Sequence, residues 1–139
     1  METLFAYALL MSEGYDVWDQ YSEKLDRLFL DEPQNETYLY LEEVTDRKEA
    51  VLRTLSEMDN ASFDVDIFGQ ALMKHLSDIY KESDLKDFAK HMYSLWNKLP
   101  DEIQHKKPFY TLSYADDCIL YNTERHCREL FESAIYYYD

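Results

Sequence analysis

The stretch SDLKDFAKHMYSLWNKLP, residues 83–100, decides the fold class. Within it Leu85, Phe88, Ala89, Met92, Leu95, Trp96 and Leu99 recur at intervals of three and four, which gathers apolar side chains on one side of an α-helix. Ser83 or Asp84 can cap its start, and Pro100 ends it and opens a single turn through Gln104. The same grammar extends both ways. Upstream, Asp64 caps a helix of Val65, Phe68, Leu72, Leu76, Ile79 and Tyr80. Gly69 inside it costs about 1 kcal/mol against alanine and points to a close crossing. Downstream, Lys106-Lys107-Pro108 marks a loop, Ser113 can cap a short helix over Ala115–Leu120, and Thr123 a terminal one carrying Cys127, Leu130, Phe131, Ala134, Ile135 and Tyr138.

Towards the N-terminus, Leu4, Tyr7, Ala8 and Met11 form a first helix closed by Gly14. A second starts with Asp16 near its N-cap and runs to Leu30, with Val17, Trp18, Tyr21, Leu25, Leu28 and Phe29 on one face. Pro33 forces a loop. Tyr38–Leu41 fits a short strand or a helical turn and is read as helix, because no partner strand with a hairpin turn lies nearby. Thr45 or Asp46 then caps a helix of Ala50, Val51, Leu55 and Met58 that ends at Asp59-Asn60. The expectation is an all-α fold: one domain over residues 1–139, a bundle of six or seven short-to-medium helices. Only 2 glycines and 3 prolines leave too little turn chemistry for a many-stranded sheet.

Hydrophobic residues at 46% and aromatics at 16% are enough to offset chain entropy, so the charge does not imply disorder. The apolar run Leu4–Met11 is too short to cross a bilayer and lacks a basic flank, so neither a signal peptide nor a membrane anchor is expected. Cys118 and Cys127 form no spaced framework and are read as free thiols in a reducing cytoplasm.

Charge is lopsided. Residues 1–69 hold 17 acids and 5 bases, net −12, while residues 70–139 hold 12 and 9, net −3. Such a field attracts a basic partner and repels nucleic acid and anionic membrane. Asp16, Asp19, Glu23 and Asp26 recur at spacings of 3, 4 and 3 and fall on one stripe of the second helix, with Arg27 placed to pair with Glu23. Asp31, Glu32 and Glu36 follow in the loop, then Glu42, Glu43 and Asp46. Between residues 13 and 46 there are 11 acids and 2 bases, a concentration that strains a compact state and is repaid by binding. Tyr38 and Tyr40 lie among these acids and combine apolar area with a polar tip, as interface residues do. These two tyrosines and the ten acids from Asp16 to Asp46 are the candidate partner-binding residues. Of Tyr136-Tyr137-Tyr138, at least one should be exposed.

Catalytic grammar is thin. Tyr114-Ala115-Asp116-Asp117 resembles the catalytic turn of reverse transcriptases, where adjacent carboxylates hold divalent metals. The resemblance covers four residues, and acids in the first turn of a helix capped by Ser113 explain them more simply. His75, His91, His105 and His126 include no i, i+4 pair and no Cys-x-x-Cys exists, so no metal site and no cofactor are expected. A Cys–His nucleophile pair can be drawn from these residues on paper, but the cysteines read more simply as core thiols; an Arg/His ribonuclease pair is not matched, since Arg125 directly precedes His126.

Size, the Asp16–Asp46 acids and missing catalytic grammar give a profile similar to the immunity proteins of bacterial polymorphic and contact-dependent toxin systems. That resemblance implies a non-enzymatic cytoplasmic protein that blocks a cognate toxin, commonly a basic nuclease. The partner would then be a basic toxin domain, with no direct nucleic-acid or membrane contact. The alternative is a phage-type nucleic-acid mimic, an anti-restriction or anti-CRISPR inhibitor presenting carboxylates in place of phosphates. The third reading is a metal-dependent enzyme using Asp116 and Asp117.

Overall fold

Nine α-helices and one 3₁₀ segment make up the protein, without a β-strand, in the computed structural model, which describes residues 1–139. Contacts cluster into two compact units, Met1–Asp64 and Val65–Asp139.

The first unit holds α1 (Glu2–Ser12), α2 (Trp18–Asp31), α3 (Glu36–Glu43) and α4 (Arg47–Asn60). α1 packs on α4 and α2, α2 on α3, and α3 on α4. The reading of Tyr38–Leu41 as helix holds: Asn35 caps α3 by accepting from the Tyr38 amide at 3.1 Å. Gly14 adopts φ 89° just beyond α1, a left-handed geometry open to glycine. Asp46 caps α4 through the Lys48 amide at 3.1 Å. Leu4, Tyr21, Leu25, Tyr38, Leu41 and Ala50 form the core, with Trp18, Leu28 and Phe29 packed around them. α1 is more apolar than its expected single face: Leu4, Phe5, Ala6, Ala8, Leu9 and Leu10 are all fully buried. One polar link crosses this core. Thr54 donates to the Ala50 carbonyl at 2.8 Å, so its oxygen accepts from the Tyr21 hydroxyl, also at 2.8 Å.

The second unit holds α5 (Val65–Glu82), α6 (Leu85–Asn97), α7 (Asp101–Gln104), a 3₁₀ segment (Phe109–Tyr114), α8 (Ala115–Tyr121) and α9 (Glu124–Ile135). Asp84 caps α6 and Thr123 caps α9, accepting from the amides of Asp87 and His126. The residues that decided the fold class are buried as their spacing requires: Phe88, Ala89, Met92, Leu95 and Leu99 are at most 3% exposed. Phe88 packs edge-on against Tyr80 and Phe131, with centroids 5.2 Å apart in each case, tying α6 to α5 and α9. Trp96 and Gln104 exchange side-chain-to-carbonyl bonds of 3.0 and 3.1 Å, which dock α7 on α6. The close approach expected at Gly69 is made by a side chain rather than a helix: an added Cβ would lie 2.6 Å from Cζ of Tyr138.

Three expectations are corrected. The helices number nine, not six or seven: Glu36–Glu43, Asp101–Gln104 and Ala115–Tyr121, each read as helical from the sequence, stand as separate helices. Ser113 does not cap α8; its hydroxyl donates back to the Tyr110 carbonyl at 2.6 Å, within the 3₁₀ segment. Cys118 and Cys127 are not free thiols but a disulfide joining α8 to α9, with Cα atoms 5.5 Å apart. The inference of a reducing compartment, which rested on free thiols, loses its basis.

Candidate protein-binding face

α2 builds the acidic stripe by periodicity alone. Tyr21 and Leu25, four residues apart, turn into the core at 1% and 4% exposure. Asp19, Glu23 and Asp26 are thereby left on the solvent side. At about 100° per residue these three lie within about 60° of one another and run about 10 Å along the axis. Asp16, also exposed, stands just ahead of the helix, where its carboxylate accepts from the Trp18 amide at 3.2 Å. Arg27 pairs with Glu23 at 2.6 Å, as the i, i+4 spacing predicts.

Asp31, Glu32, Glu36, Glu43 and Asp46 are exposed as well, in the turns and on the outer faces of α3 and the start of α4. The unit they share carries 16 acids against 5 bases. Two of the five, Arg47 and Arg53, lie over aromatic rings. The Arg47 guanidinium lies 5.2 Å from the centre of the Trp18 ring and 3.9 Å from Asp16, and that of Arg53 lies 5.3 Å from the centre of Tyr40 and 3.9 Å from Glu49. Charge counting alone gave no signal of these placements.

The two candidate tyrosines part company. Tyr38 is 5% exposed and belongs to the core, whereas Tyr40 is 42% exposed. Two positions on a helix differ by about 200°, so α3 cannot present both rings on one side. Of the two candidate rings only Tyr40 is therefore accessible, alongside the exposed acids.

Glu42 is half-buried where α3 meets α2. Burial pushes its carboxyl up to about 7, helped by the Asp26 carboxyl alongside it through a hydrogen bond and repulsion between the two charges. Its Oε1 is shut away from solvent with no hydrogen-bond partner. Glu42 therefore keeps its proton closer to neutral pH than an ordinary glutamate does, which lessens what it adds to the field.

Outside this face, Asp116 and Asp117 are exposed in the first turn of α8. No group of three or more His, Cys, Asp or Glu is placed to hold a metal ion. Both sulfurs are bonded to each other, which removes the thiols that a Cys–His pair would need. No helix is long and apolar enough to cross a membrane.

Comparison with protein families, with curated proteins and with solved structures finds no match. The functional reading rests on the face itself.

Proposed function

We propose that the protein is a non-enzymatic acidic binder that neutralises a basic protein partner, acting as an immunity protein towards a toxin domain, most simply a nuclease. The observation that supports it is the solvent-facing row Asp19, Glu23 and Asp26 on α2, with Arg27 its one close cation, in a unit of 16 acids and 5 bases. Nuclease surfaces are basic because they hold phosphates. A fixed carboxylate array opposite such a surface raises the encounter rate towards 10⁸ M⁻¹s⁻¹ or more at low salt, on the order of the steered limit. Packed anchors then slow release, and Tyr40 is placed to be one. A nuclease acts where nucleic acid is, so this reading places the chain in the cytoplasm. The Cys118–Cys127 bond is the feature that argues for a more oxidising compartment.

The experiment starts from the neighbouring reading frame. A basic toxin domain encoded there should bind the chain one-to-one and lose activity, and the double reversal Asp19→Lys with Glu23→Lys should slow that association. A chain that instead binds many unrelated DNA-binding proteins through the same row would favour the nucleic-acid mimic.

A further inference from the structure

α3 and α4 enclose a groove of about 280 Å³. Its α3 wall is Glu36, Thr37 and Tyr40, one helical face by their spacing, and its α4 wall is Arg53, Ser56 and Glu57, again one face. Whole small-molecule ligands ordinarily occupy about 300–1,000 Å³, so this groove suits a single long side chain. Carboxylates stand on both walls, Glu36 beside the half-exposed Tyr40 on one and Glu57 on the other. Opposed carboxylates around an aromatic face select a cation, and a planar guanidinium better than an ammonium.

The chain already supplies such a group. Arg53 lies with its guanidinium 5.3 Å from the centre of the Tyr40 ring. It is loosely held. Its carboxylate contact, Glu49, is 3.9 Å away, and its side chain is 57% exposed. Arg47 is held as loosely, over Trp18 and 3.9 Å from Asp16, whereas Arg27 meets Glu23 at 2.6 Å and Arg128 meets Glu124 at 2.9 Å. A guanidinium resting on a ring, close to carboxylates but not clamped by one, can be exchanged at small cost.

We propose that the α3–α4 groove is a socket for an arginine side chain of the basic partner, and that Arg53, on the α4 wall and over the Tyr40 ring, yields that ring to the incoming arginine when the partner binds. The inference rests on the reading of the chain as a binder of basic proteins and names the chemistry by which it would hold one. Arg53 then has two effects. It lessens repulsion among the acids around it in the free protein, and it competes with the incoming arginine, so the socket rejects partners that bring only diffuse positive charge.

The test needs no natural partner. A fluorescein-labelled nona-arginine peptide is titrated against the full chain at low salt and followed by anisotropy. Arg53→Ala should tighten binding about three-fold more than Arg27→Ala, which removes the same charge outside the groove. Arg53→Lys, which leaves net charge unchanged but stacks less well, should tighten it in the same direction by less. Tyr40→Ala should abolish the excess gain of Arg53→Ala, and a nona-lysine peptide should show a smaller excess. All these positions are exposed, and an unchanged circular dichroism spectrum confirms each fold. Equal effects of Arg53→Ala and Arg27→Ala, with or without Tyr40, would overturn the socket and leave the α2 row untouched. A failed stripe reversal on the natural partner, with the peptide series as expected, would instead reject the toxin reading and keep the socket.

Discussion

The two units handle charge in different ways. In Val65–Asp139, 13 acids meet 9 bases, and the arginines of α9 are each tied to a glutamate one turn away, Arg128 to Glu124 at 2.9 Å and Arg125 to Glu129 at 3.2 Å. In Met1–Asp64 the excess is 11 negative charges, and Arg47 and Arg53 rest on rings rather than on close carboxylates. The second unit is further closed by a disulfide and by the Tyr80, Phe88 and Phe131 cluster, while the first has no cysteine. One half is largely self-satisfied. The other keeps an unbalanced field, which costs stability and, on the proposed function, is offset when something basic arrives.

The largest expected effect probes the second unit. Closing a loop across nine residues of separation should contribute about 2–3 kcal/mol to the second unit by limiting the unfolded chain. Reduction should lower the urea midpoint accordingly and speed amide exchange in α8 and α9, with exchange in α1–α4 unchanged. Loss of protection spread evenly over both units would erase the distinction drawn between them.

A smaller effect probes the core of the acidic unit. Tyr21→Phe removes the hydroxyl that donates to Thr54 but leaves Thr54 bonded to Ala50, so no buried donor is orphaned. A loss of about 1 kcal/mol in denaturant unfolding is expected. A loss several times larger would mean that the ring, and not the hydrogen bond, has been disturbed.

The gentlest change is read as a slope. The folded chain holds the Glu42 proton up to about 7, above the ordinary glutamate value of 4.5. The folded state therefore binds more protons than the unfolded chain between those values, and this group's contribution to stability falls as pH rises from about 4.5 through about 7. Glu42→Gln keeps the shape and cannot ionise, so the variant should lose less stability than the parent over that window. Parallel stability–pH curves for the two proteins would show that the Glu42 carboxyl is not raised in the folded chain.

Much of this was legible in the sequence, for identifiable reasons. Seven apolar positions at three-and-four spacing fixed α6, and Asp46, Asp84 and Thr123 announced the starts they cap. The acidic row on α2 followed from the same period that buries Tyr21 and Leu25. The 3₁₀ segment was missed although Phe109, Leu112 and Ala115 repeat every three residues, the period of that helix and not of an α-helix. The disulfide was missed because pairing across the turn after α8 is a tertiary fact that spacing does not encode. Within the site, Tyr38 and Tyr40 looked alike until the phase of α3 was known. Leu41, three residues after Tyr38, could have marked Tyr38 as the inward ring. The Asp26–Glu42 contact and the Arg53–Tyr40 placement each join two helices, and no single-helix pattern reports them.

The central claim is that the unbalanced face of the first unit does the binding, and association kinetics test it most directly. The rate constant for binding the basic toxin domain should be measured at low and at moderate salt for the parent, for Asp19→Lys with Glu23→Lys, and for Lys106→Glu with Lys107→Glu in the exposed loop of the second unit. The account predicts that the first pair slows association about ten-fold or more at low salt, an effect that shrinks as salt screens the field, while the second pair changes it by less than about two-fold. Unchanged association after the α2 reversal, with a large loss after the Lys106 and Lys107 reversal, would contradict it and move the binding face to the other half of the molecule.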